Sequence, residues 1–348
     1  MCSILCVLYI VLSILSSSSA VSQEICITVV GDMMFGPDVS RIMDREGSLA
    51  PFSGTVEFLK DADITFGILE GGIGTRGEPL QSKEHIFRSK PSAARGLANA
   101  GFDVVSLATP HIMDYGEDGF LDTLEFLSWY GVKYVGGGLN VEAAKKPLIL
   151  TVKGVKVAFL AYYRGSQFDQ SFAKESKPGP AFPIYGELER DITEAKAQAD
   201  LVVVSIHWGI QAKGSDVAGR QKLYAHKLID SGADVVIGQR LHTLQGIEIY
   251  KGKPIVYSLG DFIYGTYAKR LPIGFILKLV FSRDGPLRIE ITPLSTSDTR
   301  TGSYFPTVLH GQAAEDAITT LSKLSRELGT NIQINRDIGL VDLATGNE

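Results

Sequence analysis

Apolar runs and stretches of helical periodicity alternate along most of the chain. Residues 25–31 (ICITVVG) are apolar and β-branched and end in glycine, which is typical of a buried strand. In residues 116–129, four apolar side chains recur at helical spacing and share one face, which predicts a helix: Phe120, Leu121, Leu124 and Leu127. Along the chain, such patterns predict strands at 25–31, 63–69, 102–108, 132–136, 201–207 and 233–238, and helices at 53–60, 91–100, 116–129, 187–199, 217–231 and 311–328.

Two hairpins and two long strands complete the predicted elements. The segments are 147–152 with 155–163, 245–250 with 254–259, and 273–282 with 287–293. Repeated strand–helix–strand units imply parallel strands joined by right-handed crossovers, whereas hairpins add antiparallel strands. We therefore expect an α/β fold of two mixed sheets faced by helices. It forms one domain over residues 25–300, and residues 301–348 form a C-terminal extension with one helix.

The N-terminal segment has the composition of an export signal. The first 23 residues carry no charged side chain, and residues 4–15 (ILCVLYIVLSIL) are almost entirely apolar. A small-residue cleavage site at Ser18-Ser19-Ala20 favours a signal peptide over residues 1–20, and an uncleaved membrane anchor is the alternative. Under both interpretations the protein is exported and lies in the cell envelope or outside the cell.

The charge balance argues against one class of partner. The chain has 348 residues, of which 45% are hydrophobic, and its formal net charge is −5. That length and composition can fill a large core. An acidic chain without a basic stripe lacks the electrostatic footprint of a nucleic-acid-binding protein, so we expect no nucleic-acid partner.

Side chains that can bind a metal fall just beyond five predicted segments. They are Asp32, Glu70, His111, His207 and His242. Ligand sites in open α/β sheets lie outside the carboxyl ends of the strands, so these residues are expected to meet at one rim. A lone Asp after a strand more often caps a turn, so the prediction depends on the recurrence at five places. Carboxylates with imidazoles suit a divalent cation such as Zn, Mn or Fe.

Six motifs in order resemble the CapA (PgsA) family of poly-γ-glutamate capsule proteins. They are GDMMFG at 31–36, FGILEGGIG at 66–74, GFDVVSLATPHIMDYGEDGFLDTLEFL at 101–127, YVGGGLNVEAAKKP at 134–147, VVVSIHWG at 202–209 and GADVVIGQRLHTLQGIEIYKGKPIVYSLGDFIYG at 232–265. The resemblance covers roughly residues 25–265. It implies a metallophosphatase-like fold, related to the calcineurin-like enzymes, built as a four-layer α-β-β-α sandwich.

The resemblance also implies roles for individual residues. By position, the metal ligands are Asp32, Glu70, His207 and His242, and the catalytic candidates are His111, Asp114 and Arg240. Asp114 would orient the His111 imidazole, although a cap for the following helix is an equal alternative. Arg240 would place a fixed cation at the rim, where it could pair with a carboxylate of the substrate or with Asp261.

Five positions depart from the usual family pattern. The family usually has Asn at the position of Ile68, Asn-Asn at Thr109-Pro110, His at Gln239 and Asn at Asp261. Thr109 and Gln239 are poor substitutes for metal-binding Asn and His. A site with two ions, a site with one ion and a site without metal therefore all stay open.

Three functions are compatible with these residues. The first is an accessory protein for the synthesis, export or tethering of an anionic polymer such as poly-γ-glutamate, with membrane-bound polymer synthase subunits as partners. The second is a metal-dependent hydrolase of a phosphoester or an amide. The third is a binding protein of the same fold whose catalytic site has been impaired. Fold alone does not decide among them.

Overall fold

The computed structural model describes most of the chain beyond the N-terminal segment. The described residues are 24–81, 83–165, 171–184, 186–208, 217–239, 242–264, 273–296 and 305–343. The predicted signal peptide and Arg240 lie outside them. Within the described residues, no helix combines the length and the hydrophobicity that crossing a bilayer requires.

The strands and helices follow the alternation that the sequence predicts. In the described residues the strands are β1 (Ile25–Met34), β2 (Ile64–Leu69), β3 (Gly72–Ile73), β4 (Arg88–Ser89), β5 (Val104–Ser106), β6 (Lys133–Val135), β7 (Gly137–Gly138), β8 (Leu148–Val152), β9 (Val155–Tyr163), β10 (Gly179–Pro180), β11 (Leu201–His207), β12 (Val235–Gln239), β13 (Leu244–Tyr250), β14 (Lys253–Leu259), β15 (Asp261–Tyr264), β16 (Ile273–Ser282), β17 (Gly285–Ser295), β18 (Thr307–Val308), β19 (Gln333–Asn335) and β20 (Ile338–Asp342). The helices are α1 (Pro37–Glu46), α2 (Val56–Lys60), α3 (Ser92–Ala100), α4 (Gly116–Trp129), α5 (Val141–Lys145), α6 (Glu187–Lys196), α7 (Gly219–Asp230) and α8 (Gln312–Arg326), with a 3₁₀ turn at Ala50–Phe52.

The sequence patterns missed α1, β15 and several short elements. Helix α1 begins with Pro37 at its first turn and carries Asp38 beside it, and both are ordinary signals of a helix start. The predicted helix 53–60 was too long at its start, because the 3₁₀ turn precedes it and α2 begins only at Val56. The remaining predicted elements are present with small shifts at their ends.

Two mixed sheets organise the described residues. The first runs in the order β19-β20-β17-β16-β1-β2-β5-β6, with β15 added beside β1 and β18 beside β17. The second runs β13-β14-β12-β11-β9-β8. Strands β1, β2, β5 and β6 pair in parallel, as do β9, β11, β12 and β14, so each sheet has a row of strand carboxyl ends at one edge.

Three apolar clusters show how the layers stack. The central cluster lies between the sheets, where Phe66 of β2 stacks on Phe159 of β9 with ring centroids 5.6 Å apart. A second cluster joins the outer face of the first sheet to α1, α3 and α4, and a third joins the outer face of the second sheet to α6 and α7. The predicted four-layer α-β-β-α sandwich of two mixed sheets is therefore confirmed.

The C-terminal segment adds to this core. Helix α8 contributes Ala317, Ile318 and Leu321 to the cluster between the sheets and packs against β13. Strand β20 pairs antiparallel with β17 and extends the first sheet. The C-terminal segment is therefore part of the first sheet and of the core between the two sheets.

Candidate metal centre

A bulge at the end of β1 places Asp32 at the rim. The pairing of β1 with β2 shifts register between Val29 and Asp32, and a bulge of this kind re-aims the side chain beside it. Gly31 lets the strand approach the turn after β14, because a Cβ there would lie 2.0 Å from the carbonyl oxygen of Gly260. The backbone N–H of Asp32 donates to that same oxygen at 3.3 Å. Asp32 is fully buried and faces the neighbouring strand ends.

Asp32, Glu70 and His207 form the first group of candidate ligands. Their ligand atoms lie within 4.8 Å of one another, and all three residues are buried. Glu70 follows β2 in the first sheet, whereas His207 ends β11 in the second, and His207 Nδ1 lies 3.7 Å from Glu70 Oε2. The two sheets thus contribute candidate ligands to one cluster.

Asp32, His242 and Asp261 form a second group, which shares Asp32 with the first. His242 Nδ1 lies 2.7 Å from Asp261 Oδ1 and 3.5 Å from Asp32 Oδ2. The backbone of His242 has φ 50°, which costs roughly 1–2 kcal/mol in a residue other than glycine, and such strain is concentrated at functional sites. Gly260, with φ 71°, turns the chain from β14 in the second sheet to β15 in the first, which brings Asp261 opposite Asp32.

The donor chemistry of these two groups fits a divalent cation. Carboxylate and imidazole donors together suit Zn, Mn or Fe. Three carboxylates, on Asp32, Glu70 and Asp261, are at most 8% exposed. Removing carboxylates from water is costly, and a cation bound among them lowers that cost. Sequence reasoning missed Asp261 as a ligand, although its position directly after the end of a strand was the signal used for the other candidates.

His111 and Asp114 form a hydrogen-bonded pair beside these groups. His111 Nδ1 lies 2.8 Å from Asp114 Oδ2, and the Asp114 side chain is fully enclosed while that of His111 is 19% exposed. Asp114 also accepts from the Lys83 ammonium at 2.6 Å and from the backbone N–H of Phe87 at 2.8 Å. The alternative of a helix cap does not hold, because the N-cap of α4 is Tyr115, without a side-chain hydrogen bond.

Two aromatic rings connect the His111–Asp114 pair to the second ligand group. The ring of Phe87 lies edge-on to His111 with centroids 4.6 Å apart, and it lies 6.5 Å from the ring of Tyr264. Tyr264 in turn lies edge-on to His242 at 4.8 Å. His111 is therefore at the same rim as the candidate ligands and stands outside both ligand groups.

Thr109 and Gln239, which depart from the family pattern, form hydrogen bonds to the backbone beside the candidate ligands. The Thr109 hydroxyl donates to the carbonyl oxygen of Leu69 at 3.0 Å, directly before Glu70. The Gln239 side chain donates to the Gly260 carbonyl at 3.2 Å and accepts from the Ser258 hydroxyl at 3.2 Å, so it holds the turn that leads to Asp261. Ile68 belongs to the apolar cluster between the sheets.

Arg164 is a cation at this rim that the sequence reasoning did not single out. Its backbone N–H donates to the carbonyl oxygen of His207 at 2.9 Å, which fixes it at the carboxyl edge of the second sheet. Its guanidinium carbon lies 4.8 Å from the ring centroid of Tyr224, a cation–π contact that restrains the side chain. Burial raises the pKa of Tyr224, so the ring stays neutral beside the guanidinium.

Asp122 on α4 fastens the loop that follows Glu70. Its carboxylate accepts from the backbone N–H groups of Thr75 at 2.6 Å and Arg76 at 2.7 Å and pairs with the Arg76 guanidinium. Burial by itself raises the pKa of Asp122, but these donors outweigh it and hold the pKa below its usual value of 3.8. The ionised carboxylate therefore stabilises the folded loop.

Asp122→Asn is expected to lower the free energy of unfolding by about 1.5–3 kcal/mol at pH 7, since it weakens bonds to a charged acceptor. Because the folded pKa is lowered, the contribution is complete above pH 3.8 and is lost as the pH falls through the folded value. Urea unfolding of both proteins over a pH series measures the difference. A pH-independent difference would contradict the assignment. Glu125→Gln is the control. Glu125 also pairs with Arg76 but is 64% exposed, so the free energy of unfolding should change by less than about 1 kcal/mol.

Comparison with known proteins agrees with the sequence motifs. The family described as bacterial capsule synthesis protein PGA_cap matches residues 26–266. The capsule biosynthesis protein CapA of Bacillus anthracis is 29% identical over 284 residues, which cover 80% of this chain and 69% of that protein. The PGA biosynthesis protein CapA of Bacillus subtilis (strain 168) is 32% identical over 272 residues, which cover 76% of this chain and 70% of that protein.

Solved structures resemble the chain over most of its length at low sequence identity. A phosphatase of Mycoplasma pneumoniae aligns with a TM-score of 0.49 and 14% identity, over 80% of this chain and 96% of that one. A hypothetical protein of Thermus thermophilus aligns with a TM-score of 0.49 and 18% identity, over 77% of this chain and 98% of that one. The family match spans more than half of the chain and includes Asp32, Glu70, His207 and His242. This protein belongs to the bacterial capsule synthesis protein PGA_cap family.

Proposed function

We propose that the protein is exported and assists the synthesis, export or tethering of an anionic capsule polymer such as poly-γ-glutamate, which it binds and processes at a divalent-metal site. The polymer class rests on the names of its relatives, which are capsule and PGA biosynthesis proteins. The observation that carries the chemistry is the convergence of two ligand groups on Asp32, beside the His111–Asp114 pair. The export step rests on the uncharged, apolar N-terminal segment.

The two groups would hold two ions that share Asp32. Glu70 and His207 complete one ligand set, and His242 and Asp261 complete the other. A divalent cation bound there supplies Lewis acidity toward a carbonyl or phosphoryl oxygen and makes water a better nucleophile near neutral pH. In this arrangement Asp261 adds a carboxylate where the family has Asn. Gln239, where the family has His, holds the turn that leads to Asp261.

His111 would move a proton in the proposed reaction. Asp114 accepts the hydrogen of Nδ1, so Nε2 of the neutral ring has a lone pair and can take up a proton, and the protonated ring can give it to a leaving group. The Lys83 ammonium offsets the charge of Asp114 and fixes its orientation. The ring of Phe87 limits the motion of the imidazole by edge contact.

Cations at the rim match an anionic polymer. The backbone of Arg164 adjoins that of His207, and its guanidinium lies over the ring of Tyr224 on α7. A guanidinium binds a carboxylate through two parallel hydrogen bonds. Arg164 and Arg240, the second of which lies outside the described residues, would be the side chains that pair with carboxylates of a polyglutamate chain. Membrane-bound polymer synthase subunits are the partners that would deliver such a chain to an exported protein.

Turnover of poly-γ-glutamate tests this function. The purified protein, loaded with Mn or Zn, is incubated with poly-γ-glutamate, and the polymer length distribution and the newly released amines are followed. We expect chain shortening with metal and none after chelation. His207→Ala is the control, because it removes one ligand of the first group. Polymer processing equal to that of this control would refute the hydrolytic part of the proposal.

A metal-dependent phosphoesterase is the second candidate. A proton donor beside paired metal-ligand groups also suits the release of an alcohol from a phosphoester, because the leaving oxygen needs a proton. Assays with p-nitrophenyl phosphate monoesters and diesters under the same loading separate the two functions. Ester turnover without polymer turnover would favour this candidate. A protein that binds polymer and turns over neither substrate would be an impaired binding protein.

His111→Gln is expected to lower turnover on the order of 100-fold, since general acid–base catalysis contributes at least that much. The metal content is expected to stay unchanged, because His111 belongs to neither ligand group. Steady-state kinetics and metal analysis on one sample measure both quantities. Loss of metal with activity would instead identify His111 as a ligand. His85→Gln is the control. The His85 ring lies on the same loop, with its centroid 6.4 Å from that of Phe87, and its replacement should leave turnover nearly unchanged.

A further inference from the structure

An exposed aromatic patch lies at the C-terminal end of α4. It consists of the exposed Trp129 and Tyr130 and the half-buried Phe126, which also packs against the apolar cluster on the outer face of the first sheet. The three rings stack in sequence with centroid distances of 6.3 Å and 6.2 Å. Trp129 is 74% exposed and Tyr130 is 36% exposed. Large exposed aromatic side chains that adjoin one another mark a surface that binds a partner or a membrane.

The patch lies at the end of the molecule opposite the candidate metal centre. Helix α4 connects two parallel strands, β5 and β6, so it runs antiparallel to them and ends beside their amino ends. The candidate ligands lie at the carboxyl ends of the strands. Asp32 follows Glu24 by eight residues along β1, a distance of about 26 Å at 3.3 Å per residue.

The chain enters the described structure at this same end. Cys26, at the start of β1, exchanges hydrogen bonds with Asp63 before β2, and Thr65 of β2 does the same with Asp103 before β5. The carbonyl oxygen of Asp103 then accepts from Lys133, the first residue of β6. Three steps between neighbouring strands separate Glu24 from the start of β6, which is about 15 Å.

The apolar segment 4–15 therefore joins the chain at the end of the described structure that carries the aromatic patch. Residues 16–23 link it to Glu24, and eight residues span at most about 28 Å when fully extended. Phe58, 41% exposed on α2, belongs to this end as well, because Lys60 at the end of α2 lies against Gly101, just before β5. Tryptophan and tyrosine are the residues enriched where a protein meets the membrane–water interface.

We propose that the aromatic patch docks on the surface of a phospholipid bilayer. This inference rests on the export part of the proposed function, with the N-terminal segment retained as an anchor. Trp129 lies among the lipid headgroups, and the end of the molecule with the amino termini of β1, β2, β5 and β6 faces the bilayer. The candidate metal centre is thereby held away from the membrane and open to a polymer outside it.

Tryptophan fluorescence of the full chain in phosphatidylcholine vesicles tests the proposal. The chain has two tryptophans, and the other, Trp208, is 1% exposed, so lipid quenching reports on Trp129. We expect brominated phosphatidylcholine to reduce the emission of the wild type relative to unbrominated vesicles, and Trp129→Phe to abolish that reduction. Equal emission in the two lipids, or an equal loss in both proteins, would overturn the proposal.

Two further measurements separate the alternatives. Protection of Trp129 from iodide that grows with protein concentration in the absence of lipid, without quenching by brominated lipid, would assign the patch to a second copy of the chain and overturn bilayer docking. Asp32→Asn is expected to keep the lipid quenching of the wild type, because Asp32 lies at the opposite end of β1. Failure of the metal function and failure of docking are thus distinguished.

Discussion

In the proposed two-ion arrangement, Asp32→Asn is expected to prevent binding of both ions and to abolish metal-dependent turnover. Asp32 is the residue that the two ligand groups share, and the amide offers no negative charge and one weaker oxygen donor. Mutation of a residue that only hydrogen-bonds to a metal ligand lowers metal affinity about 10–100-fold. Loss of a ligand that both sites share should therefore lower the affinity of each site by at least about 100-fold. Metal analysis after Mn or Zn loading and dialysis, with isothermal titration of the wild type, measures the change.

Asp261→Asn separates the two ions. Asp261 belongs to only one ligand group, so this variant should lose one equivalent of metal and keep the other. Asp103→Asn is the matched control, because Asp103 is an aspartate at the opposite end of the first sheet that accepts a backbone hydrogen bond from Thr65. Full metal content in Asp32→Asn, or loss of both ions in Asp103→Asn, would contradict the shared-ligand arrangement.

Phe159→Ala is expected to lower the free energy of unfolding by about 3–5 kcal/mol. The Phe159 ring is fully buried between the sheets and stacks on Phe66, so truncation leaves a cavity that the two sheets cannot close without moving toward each other. Urea unfolding followed by far-ultraviolet circular dichroism measures the change.

Leu223→Ala is the control for that experiment. Leu223 is 60% exposed on α7, so its truncation should change the free energy of unfolding by about 0.5 kcal/mol or less. A cost for Phe159→Ala no greater than that of this control would show that the sheets do not share a common core. Two separate unfolding transitions would also contradict the sandwich, because sheets that share one core should unfold together.

The departures from the family pattern have a structural explanation in the second ligand group. Gln239 lacks a basic nitrogen that could bind a metal. Its side-chain amide donates a hydrogen bond to the carbonyl of Gly260, the residue that places Asp261 opposite Asp32. Thr109 similarly holds the strand end before Glu70. Both side chains therefore hold the backbone directly beside candidate ligands.

Much of the fold could be predicted from sequence, because hydrophobic periodicity is local information. Helix α4 begins at Gly116 and ends at Trp129 as predicted, and β11 matches its predicted range from Leu201 to His207. The rule that ligands gather at the carboxyl ends of strands placed Asp32, Glu70 and His207 at one rim, where the structure brings them together. The resemblance to the family then supplied the layer order.

The sequence by itself determined the order of strands and helices and the rim at which polar residues collect. Only the tertiary structure decided which of those residues touch. Asp261 joins Asp32 because a bulge in β1 and a left-handed glycine in the turn after β14 set one register, and Lys83 reaches Asp114 across a loop. Such contacts join residues far apart in the chain, and they depend on sheet register and packing, which no local pattern encodes.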